Sequence, residues 1–594
     1  MRMNIQELDI LNALMQEGYT NQRILSSQCG HSLGMVNSAL KHLAKSGYVD
    51  ALNQPTMKAK ALGKATAPES AVILAAGFGM RMVPINTLTP KALLQVHGEP
   101  LIERIICQLH DVGIRKIWVV VGFMKEHFEY LIDEYGVQLV FNPDYGKKNN
   151  LHSLKLVLDQ LSNTYIIPCD LWFWENPFRP QEFYSWYMVT DCITAASTVR
   201  VNRKRELSSA APSEPGNRMV GVAYLTAQDS AAFQKRAKAL CADSHYDSVF
   251  WEEALFGSST LSIGARMIPD SSAVEINTYE QLRSLDKDSN HLQTDAIRVI
   301  MDALQTDSSQ ITNITVLKKG MTNRSFLFWC NGKQYIMRIP GEGTDQLINR
   351  TQEAAVYQAI NGKSICDDVK YIDPKNGYKI TEFLQGARVC DPFSPDDVAA
   401  CMKRLRQFHE TKLQVAHTFD IFGQIDFYES LWNGNPSCFR DYRTTKAKVF
   451  ALKPYIDSME KDWCLTHIDA VPDNFLFTTK PDGTSDLRLI DWEYAGMQDP
   501  HVDIAMFCIY AMYDDAHIEQ LIDTYFPEGC DTAVRTKIYC YIAACGLLWS
   551  NWCEYKRQLG VEFGEYSLRQ YRYAKDYCRI AMAHIGQGGL SCTL

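Results

Sequence analysis

Residues 71–91 constrain the fold of this chain more than any other stretch; their sequence is A-V-I-L-A-A-G-F-G-M-R-M-V-P-I-N-T-L-T-P-K. The apolar run at the start predicts a buried β-strand that ends in the turn Gly77-Phe78-Gly79. Because glycine has no Cβ, such a turn lets backbone N–H groups approach a phosphate chain closely. Arg81 and Lys91 follow the turn and add two positive charges. The combination predicts a strand–turn site that binds a polyphosphate such as a nucleoside triphosphate.

The chain has 594 residues, too many for one hydrophobic core, so we expect several domains. Its apolar content of 46% and charged content of 22% are ordinary for a soluble protein, and its net charge of -9 argues against a nucleic-acid coat or a basic membrane binder. The eighteen cysteines include no C-x-x-C pair, which argues against a zinc ribbon or a disulfide framework. The first residues carry acids where a signal peptide would be apolar, and no uncharged apolar run could span a bilayer. We therefore expect a cytoplasmic, reduced protein.

Residues 1–66 form the first predicted domain. Apolar residues at helical spacing, interrupted at Gly30, predict three short helices, and a β-wing is expected to begin at Tyr48. This pattern resembles the winged helix-turn-helix of bacterial transcription regulators, with residues 32–45 in the recognition position. Lys41 and Lys45 point outward there, so the resemblance implies weak DNA binding; the alternative is a docking module that kept only the fold. Residues 53–70 are expected to form a linker or a wing tip.

Residues 68–288 form the second predicted domain, in which strands alternate with amphipathic helices. Strands are expected at residues 72–74, 117–121, 138–141 and 165–168, and helices at residues 101–112, 125–135 and 151–161. This alternation predicts a Rossmann-like domain with a mostly parallel sheet and ligands at the carboxyl ends of the strands. Asp170 lies at such an end and is placed to hold Mg²⁺; a turn or helix cap is the alternative. Aromatic residues that follow Asp170 or stand beside Glu252 in the sequence offer faces for a quaternary ammonium group, or simply form core: Trp172, Phe173, Trp174, Phe250 and Trp251.

Residues 292–594 form the third predicted domain, a bilobal protein-kinase-like fold. A β-meander over residues 315–337 is expected to turn at Gly320 and Gly332. The next strand carries Arg338 and the next helix Glu353, the cation–carboxylate pair of a kinase-like ATP site. An H-x-D-x-x-x-x-N element at residues 467–474 and an aspartate at residue 491 follow the logic of a kinase catalytic loop. In that logic Asp469 accepts the proton of the substrate hydroxyl, while Mg²⁺ is held by Asn474 and Asp491. The fold class of the whole chain is therefore multidomain α/β and α+β.

The string L-A-A-G-x-G-x-R followed by P-K resembles the signature of nucleotidyltransferases that join an NTP to a phosphorylated small molecule and release pyrophosphate. Within that superfamily, N-N-L-H-S at residues 149–153 is similar to a segment of the CTP:phosphocholine cytidylyltransferases. The resemblance implies catalytic roles for Arg81 and Lys91. It implies nucleotide binding by Ala75, Ala76, Gly77, Gly79, Asn150 and Ser153, and phosphocholine binding by Trp172, Trp251 and Glu252. It also implies a second Mg²⁺ ligand at Asn277, where the family carries an aspartate; an amide brings no charge, so its contribution should be weaker.

The motifs H-x-D-x-x-P-x-N-F-L and I-D-W-E-Y-A-G resemble those of the choline/ethanolamine kinases, within the aminoglycoside-phosphotransferase-like group. This resemblance implies that ATP is bound by Asn323, Arg338 and Glu353. Residues 548–552, L-W-S-N-W, are similar to the W-x-x-W helix with which these enzymes box a trimethylammonium group. Residues i and i+3 share a helix face, so both Trp549 and Trp552 can touch one cation, with Tyr566 as a further wall; a packed core pair is the alternative.

The two resemblances interlock, because a choline kinase makes the phosphocholine that a cytidylyltransferase consumes. They imply a bifunctional enzyme that binds ATP, CTP, choline and phosphocholine, uses Mg²⁺ and makes CDP-choline and pyrophosphate, to decorate surface polysaccharide with phosphocholine. This interpretation also includes assembly of two copies of the chain into a homodimer. One alternative is a sugar kinase fused to a sugar-1-phosphate nucleotidyltransferase, and another is a metabolite-sensing DNA-binding regulator. The intact set of Lys91, Asp170, Asp469 and Asp491 argues against a pure sensor.

Overall fold

The computed structural model describes residues 3–85, 89–209, 214–256, 261, 263–317, 323–341, 347–479, 483 and 485–587. The chain divides into two compact units, Met1–Arg298 and Val299–Leu594. The first unit contains a small helical domain followed by an α/β domain, and the second unit has the two lobes of a kinase-like fold.

Three capped helices form the N-terminal domain: α1 (Ile5–Glu17), α2 (Gln22–Cys29) and α3 (Leu33–Lys45). Each helix begins after a residue whose side chain accepts a backbone N–H hydrogen bond, namely Asn4, Asn21 and Ser32. The apolar faces of the helices share one core, which includes Ile10, Leu11, Leu14, Leu25, Val36, Leu40 and Leu43. Val49 and Pro55 form an antiparallel bridge where the wing is expected. The predicted helix-turn-helix fold is confirmed.

The prediction that residues 53–70 form a linker is wrong, because helix α4 (Met57–Ala65) occupies half of this segment. Its alanine and lysine residues are good helix formers, which the polar, proline-bounded composition concealed. Ala59 is buried in the core of the N-terminal domain. A Cβ on Gly63 would lie 3.1 Å from the ring of Phe183, so α4 packs closely against the α/β domain.

The α/β domain begins with β1 (Ser70–Ala75) and ends with α9 (Tyr279–Leu285). Between them its strands are β2 (Gln95–Val96), β3 (Glu99–Pro100), β4 (Lys116–Val121), β5 (Gln138–Phe141), β6 (Thr164–Pro168), β7 (Leu171–Phe173), β8 (Trp186–Thr194), β9 (Val199–Val201), β10 (Leu207–Ser209), β11 (Gly216–Leu225), β12 (Gly264–Ile268) and β13 (Ala273–Glu275). Its other helices are α5 (Leu101–Asp111), α6 (Tyr130–Tyr135), α7 (Asn150–Lys155) and α8 (Ala227–Cys241).

The main sheet has seven strands in the order β12-β8-β11-β6-β1-β4-β5. Strands β5, β4, β1 and β6 run parallel, β11 is antiparallel to β6 and β8, and β12 is parallel to β8. Alternate residues of β1 enter two cores: Ile73 faces one layer and Val72 the other. Burial on both faces explains the continuous apolar run. The mostly parallel, Rossmann-like sheet is confirmed.

Two predicted helices are shorter than expected. Residues 125–135 form a 3₁₀ turn, Lys125–Phe128, followed by α6, and residues 151–161 form α7 followed by the turn Leu158–Gln160. The apolar residues of the second segment, apart from the exposed Leu156, are nevertheless buried in one core. The apolar pattern therefore reports the buried face correctly but does not distinguish an α-helix from consecutive short turns.

The N-terminal lobe of the second unit follows α10 (Asp295–Leu304). Its antiparallel sheet has the order β14-β15-β16-β18-β17, with β14 (Thr312–Val316), β15 (Asn323–Cys330), β16 (Lys333–Pro340), β17 (Val369–Ile372) and β18 (Lys379–Glu382). Helix α11 (Arg350–Ile360) lies between β16 and β17 in the chain. The predicted hairpin at Gly332 is confirmed, since β15 and β16 pair across Asn331 and Gly332, both with positive φ. Gly320 lies outside the described residues.

The C-terminal lobe is mainly helical. Its helices are α12 (Pro395–Glu410), α13 (Ile421–Ser430), α14 (Tyr442–Phe450), α15 (Lys453–Ser458), α16 (His501–Tyr510), α17 (Asp515–Tyr525), α18 (Thr532–Gln558) and α19 (Glu565–Gln587). Its strands are β19 (Arg388–Val389), β20 (Cys464–Thr466), β21 (Phe475–Thr479), β22 (Ser485–Leu489) and β23 (Gly496–Gln498). Most of the 27-residue helix α18 is buried in this lobe. None of the helices in the described residues combines the length and apolarity needed to cross a membrane.

Candidate active sites

The glycine turn after β1 sits directly over Lys91. Gly79 has φ +60°, a conformation that favours glycine, and a Cβ there would lie 3.1 Å from Cβ of Lys91. A Cβ on Gly77 would meet open space, so the backbone is accessible at that position. Ala75 and Ala76 are buried at the end of the strand. The turn can therefore present backbone N–H groups to a phosphate chain beside the lysine ammonium group.

Four residues that are distant in sequence meet at the carboxyl end of the sheet. Nζ of Lys91 donates hydrogen bonds to Asp170 and, at 2.6 Å, to Oδ1 of Asn277. Nη2 of Arg81 donates to the same Asn277 oxygen at 3.0 Å. Strand β13 pairs with β7, and the N–H of Ile276 donates to the carbonyl of Asp170 at 2.9 Å. This pairing places Asn277 beside Asp170, so the two predicted metal ligands share one site.

Oxygen atoms of Asp170 and Asn277 fit a magnesium ion. Oδ1 of Asp170 is buried and has no hydrogen-bond partner among the described residues. No group of three or more His, Cys, Asp or Glu side chains in the described part of the chain could hold a metal ion. Mg²⁺ commonly binds one or two protein oxygens and completes its shell with phosphates and water. Two oxygens beside a phosphate-binding turn agree with that pattern, although Asn277 contributes no charge.

The predicted nucleotide segment at residues 149–153 is tied to neighbouring loops. Oδ1 of Asn150 accepts the backbone N–H of Trp251 at 2.9 Å. Ser153 is buried, and its Oγ accepts a hydrogen bond from Nδ2 of Asn142 at 3.0 Å. Asn150 therefore links the beginning of α7 to the segment that carries Trp251 and Glu252. The contact between Asn142 and Ser153 was not predicted. Asn142 directly follows β5, and its position at the end of a strand could have indicated that it lies at this edge of the sheet.

Glu252 is a mostly enclosed carboxylate. Oε1 accepts a hydrogen bond from the hydroxyl of Tyr187 at 3.1 Å, and Oε2 is buried without a partner among the described residues. Burial raises the pKa of Glu252 to about 7, against the lowering effect of hydrogen bonds from its own N–H and from Tyr187. Trp251 packs between Tyr187 and Phe233 and is buried.

Trp172 is also buried, and its ring already has a cation on one face. The guanidinium carbon of Arg104 lies 4.1 Å from the ring centroid, and the rings of His97 and Trp174 lie at 5.5 and 6.2 Å. Trp172 is on β7, two residues after Asp170, which explains why it is near the predicted metal ligands. The arginine cover was not visible in the sequence, because Arg104 belongs to helix α5.

Gly122 packs against the end of strand β1 beside the glycine turn, a contact that the sequence pattern did not indicate. A Cβ there would lie 2.6 Å from the carbonyl oxygen of Ala76 and 2.7 Å from Tyr145, so only glycine fits without movement. Phe78, inside the glycine turn, packs between Phe123 and Tyr145, with ring centroids 4.9 Å apart in both pairs. The position of Gly122 directly after β4 could have revealed it as part of the strand-end edge.

In the second unit, Asp469, Asn474 and Asp491 form the predicted catalytic loop. Nδ2 of Asn474 donates to the carbonyl of Asp469 at 2.8 Å and to its carboxylate at 3.1 Å. Ile468 and Asp491 have φ of +70° and +68°, which is rare for non-glycine residues and marks strained backbone at the site. Asp503 on α16 accepts the N–H groups of His467 and Ile468 at 3.0 and 2.7 Å and holds the strained loop.

The environment of Asp469 suits a general base. Burial and the neighbouring charge of Asp491 raise its pKa to about 7, against the lowering effect of a hydrogen bond from Asn474. A base with a pKa near the working pH accepts a proton efficiently. The side chains of Asn474 and Asp491 carry oxygens of the type that Mg²⁺ prefers.

The predicted Arg338–Glu353 pair is present and buried. Nη1 and Nη2 of Arg338 donate to the two Glu353 oxygens at 2.6 and 2.8 Å, a bidentate ion pair between β16 and α11. Nη2 of Arg338 also donates to the carbonyl of Gly377 at 3.1 Å. The side chain of Asn323, the third predicted ATP-binding residue, lies outside the described part of the chain.

Trp549 and Trp552 lie side by side on α18, with centroids 5.5 Å apart and rings inclined by 73°. Tyr494 meets Trp549 edge-on at 5.7 Å, and Tyr566 meets Tyr510 at 6.0 Å. Burial is the main reason that the pKa values of Tyr494 and Tyr566 are raised, and the charge of Asp469 adds to both. The aromatic cluster therefore lies near Asp469, the predicted catalytic carboxylate. Tyr494 was not predicted; its place just after Asp491 is the signal that could have found it.

The N-terminal domain contacts the α/β domain and leaves α3 open. Asp9 accepts the hydroxyl of Tyr184, and Nη2 of Arg205 donates to the carbonyl of Gly30 at 2.9 Å. Phe183 is buried in the helical core. These contacts involve α1, the turn before α3, and α4, whereas the exposed residues of α3 include Asn37, Ser38, Lys41 and Lys45.

Three family models match the chain. Residues 3–50 match "Winged helix-turn-helix DNA-binding", residues 71–179 match "MobA-like NTP transferase domain" and residues 314–526 match "Choline/ethanolamine kinase". Each matched range begins and ends within the domain that carries the corresponding site described above.

Curated proteins and solved structures match the two larger domains. The choline-phosphate cytidylyltransferase of Streptococcus pneumoniae is 33% identical over 221 residues, which cover 36% of this chain and 96% of that protein. Protein LicA of Haemophilus influenzae is 27% identical over 264 residues, which cover 42% of this chain and 76% of that protein. The crystal structure of the choline kinase LicA from Streptococcus pneumoniae is 28% identical, with a TM-score of 0.41, and the match covers 48% of this chain and 97% of that one.

Proposed function

Because the chain belongs to the choline-phosphate cytidylyltransferase family and joins to it a domain of the choline/ethanolamine kinase family, we propose that it activates choline in two steps. The kinase domain transfers the γ-phosphate of ATP to choline. The nucleotidyltransferase domain then transfers CMP from CTP to phosphocholine and releases pyrophosphate, giving CDP-choline. The observation that supports the proposal is that one chain contains both predicted sets of catalytic residues, around Lys91 and around Asp469.

In the cytidylyl transfer, a phosphate oxygen of phosphocholine attacks the α-phosphorus of CTP. Arg81 and Lys91 stabilise the negative charge that develops on the phosphates, and the N–H groups of the glycine turn orient the phosphate chain. We propose that Mg²⁺ is held by Asp170 and Asn277, whose oxygens fit it; when bound, the ion neutralises phosphate charge.

The quaternary ammonium group of phosphocholine cannot donate a hydrogen bond, so charge and aromatic faces must recognise it. We propose that the Glu252 carboxylate supplies the negative charge. Trp251 precedes Glu252 in the chain, and Trp172 lies near Asp170. Both side chains are buried, so we propose that they support the binding site of the ammonium group and do not enclose that group by themselves.

In the phosphoryl transfer, the Asp469 carboxylate accepts the proton of the choline hydroxyl as the oxygen attacks the γ-phosphorus of ATP. The bond from the γ-phosphorus to the β,γ-bridging oxygen breaks, and ADP leaves. Arg338, held by Glu353, contacts the ATP phosphates. We propose that Asn474 and Asp491 would hold Mg²⁺, which would supply positive charge to the ATP phosphates. The trimethylammonium group is proposed to lie against Trp549, Trp552 and Tyr566, near Asp469.

Incubation of the full chain with choline, ATP, CTP and Mg²⁺ tests the proposal, with CDP-choline detected by mass. Omission of ATP should abolish the product unless phosphocholine is added. In Asp469→Asn, choline should give no product while phosphocholine still does. A wild-type chain that phosphorylates a sugar in preference to choline would contradict the proposal.

The place of the reaction in the cell is part of the proposal. ATP and CTP are cytoplasmic, so we propose that the protein acts there. We further propose that its product serves the attachment of phosphocholine to surface polysaccharide, which the resemblance alone supports. Labelled choline followed into the polysaccharide of cells with and without the gene tests this. A homodimer is also proposed, and light scattering of the purified protein measures the mass that decides it.

We also propose that residues 1–66 bind duplex DNA weakly. The supporting observation is that the α/β domain packs against the surface away from the exposed residues of α3. Residues 1–66 contain seven lysine and arginine residues against four aspartate and glutamate residues, so this domain is locally basic in an acidic chain. Gel-shift titration of the intact protein tests the proposal.

A further inference from the structure

The kinase domain contains a second buried arginine, Arg350, which donates to the same glutamate as Arg338. The proposed function gives Arg350 no role. Arg350 begins helix α11, and its side chain is 5% exposed. It belongs to a cluster of two arginines and two glutamates whose other members, Arg338, Glu353 and Glu493, are also largely buried.

The four groups form one connected network. Oε2 of Glu353 accepts from Nη2 of Arg338 at 2.8 Å and from Nη1 of Arg350 at 3.1 Å. Oε2 of Glu493 lies 3.7 Å from Nη1 of Arg338 and 3.8 Å from Nη1 of Arg350. Glu353 is therefore hydrogen-bonded by both guanidinium groups, whereas Oε2 of Glu493 lies within ion-pair distance of both but has no hydrogen-bond partner among the described residues. Glu493 comes two residues after the predicted metal ligand Asp491, so the network connects the two halves of the ATP site.

The charge balance explains why a second cation is needed. Buried carboxylates require paired charges, and Arg338 alone would be shared between Glu353 and Glu493. Lys379 lies 4.0 Å from Glu353 and donates to the hydroxyl of Tyr357, so it adds a more distant positive charge. Burial acts to raise the pKa of Glu353, but the hydrogen bond and charge of Arg338, with the charges of Lys379 and Arg350, hold it below its usual value.

The turn between β17 and β18 fixes both arginines in place. The carbonyl of Gly377 accepts Nη2 of Arg338, and a Cβ on Gly377 would lie 2.7 Å from Nε of Arg350 and 2.8 Å from Cγ of Pro340. Gly377 has φ +70°, so only glycine closes over the pair without strain. The backbone is therefore shaped to this two-arginine arrangement.

We propose that Arg350 is a positioning residue for ATP: it balances Glu353 and Glu493 so that the Arg338 guanidinium keeps the orientation and charge needed to hold the triphosphate. The proposal rests on the proposed role of Arg338 at the ATP phosphates. Without Arg350, both carboxylates compete for Arg338, and ATP binding weakens while choline binding, at the aromatic cluster, does not.

Steady-state kinase constants of Arg350→Gln, Arg350→Lys and the control Arg535→Gln test the proposal in the full chain. Arg535 makes two ion pairs, to Glu519 and Asp523 of α17, so its loss is a matched loss of ion pairs elsewhere in the lobe. We expect Arg350→Gln to raise KM for ATP about tenfold, the equivalent of about 1.4 kcal/mol, with KM for choline within about twofold. Arg350→Lys, which keeps the charge, should recover most of the loss, and Arg535→Gln should leave both constants unchanged.

Cytidylyl transfer by the same preparations shows that the chain is intact, and a thermal transition shows that the kinase unit is folded. If Arg350→Gln is unfolded, the neutral Arg350→Met takes its place; if neither folds, Arg350 is structural and the proposal fails. A lower kcat with unchanged KM for ATP, or equal increases in both KM values, also overturns it. Arg338→Gln tests the premise separately. If this variant leaves KM for ATP unchanged, the proposed role of Arg338 is wrong. If Arg338→Gln raises KM for ATP and Arg350→Gln does not, only the inference about Arg350 is refuted.

Discussion

At the scale of single residues, Lys91 connects the oxygens proposed to bind Mg²⁺ to the glycine turn. Its ammonium group contacts Asp170 and Asn277, and its stem lies under Gly79. Loss of a cation that stabilises the transition state typically lowers the rate by about 10²–10³. We expect Lys91→Ala to reduce pyrophosphate release from CTP and phosphocholine by that factor and to leave choline phosphorylation intact. The control is Lys116→Ala, which should change neither rate. Lys116 is the first residue of strand β4, whereas the proposed site lies at the carboxyl ends of the strands. Wild-type pyrophosphate release in Lys91→Ala would remove Lys91 from the mechanism.

Asn277 offers a test of the metal site by gain of charge. Its Oδ1 accepts from both Lys91 and Arg81, so a carboxylate at this position would be well compensated. Asn277→Asp should therefore tighten Mg²⁺ binding, and cytidylyl transfer should reach half its maximal rate at a lower Mg²⁺ concentration. Titration of activity with Mg²⁺ at fixed CTP measures the shift. An unchanged Mg²⁺ requirement would show that the residue is not a ligand.

The ionisation of Glu252 should make KM for phosphocholine depend on pH. Burial raises its pKa to about 7, so the group is ionised above that pH and becomes protonated as the pH falls through it. Only the carboxylate attracts the trimethylammonium group. We expect KM for phosphocholine to rise as the pH falls from 8 to 6, roughly tenfold per unit once below the pKa. KM measured across this range should lose that dependence in Glu252→Gln. The same pH profile in both proteins would exclude Glu252 as the recognition charge.

At the scale of secondary-structure elements, helix α18 carries both predicted cage residues on one face. Trp549→Ala and Trp552→Ala should each raise KM for choline, by about 5- to 30-fold if a cation–π contact of roughly 1–2 kcal/mol is lost, with KM for ATP unchanged. Trp463→Ala is the matched control, since Trp463 is exposed just before β20. Choline kinetics of the three variants measure the effect. If KM for choline is unchanged in both α18 variants, the pair is ordinary core.

The same comparison of elements shows what the sequence could predict. The glycine turn, Asp170 and the H-x-D-x-x-x-x-N loop were predictable because their chemistry lies in short stretches whose residue types and spacing are specific. The Arg104 cover of Trp172 and the Arg350–Glu493 contact depend on which distant elements pack together, which a local pattern does not specify. Helix α4 was missed for a related reason: its face is buried against Phe183 of the next domain, a neighbour more than a hundred residues away.

At the scale of the molecule, the N-terminal domain and the α/β domain share a core contact. Phe183 of the α/β domain is buried among the helices, and Asp9 accepts the hydroxyl of Tyr184. Deletion of residues 1–66 should therefore expose Phe183 and lower the thermal transition of the cytidylyltransferase domain by several degrees, because burial of one such ring is worth about 1.5–3 kcal/mol. Calorimetry of the truncated and intact chains measures this. An unchanged transition would show that the two domains are independent.

The same contact decides how DNA binding should be tested. Because deletion perturbs the enzyme, charge-removing point variants on α3 are the cleaner test: Lys41 and Lys45 are exposed there. If both contact phosphates, Lys41→Ala/Lys45→Ala should weaken binding and make the slope of log K against log salt shallower by about 1.8, at roughly 0.9 per contact. Gel shifts at several salt concentrations, on the DNA upstream of the gene and on random DNA, measure both effects.

The control for this experiment is Lys235→Ala/Lys238→Ala, which removes the same charge from exposed positions on helix α8 of the α/β domain. If binding comes from the general field of the chain, both double variants should lose the same affinity. If DNA binding comes from α3, only Lys41→Ala/Lys45→Ala should lose affinity. Cytidylyl transfer should stay normal in both double variants, because Lys41 and Lys45 lie on the surface of α3 that the α/β domain does not contact. Equal losses in the two variants, or no shift by the intact protein, would identify residues 1–66 as a docking domain whose role is to cover Phe183.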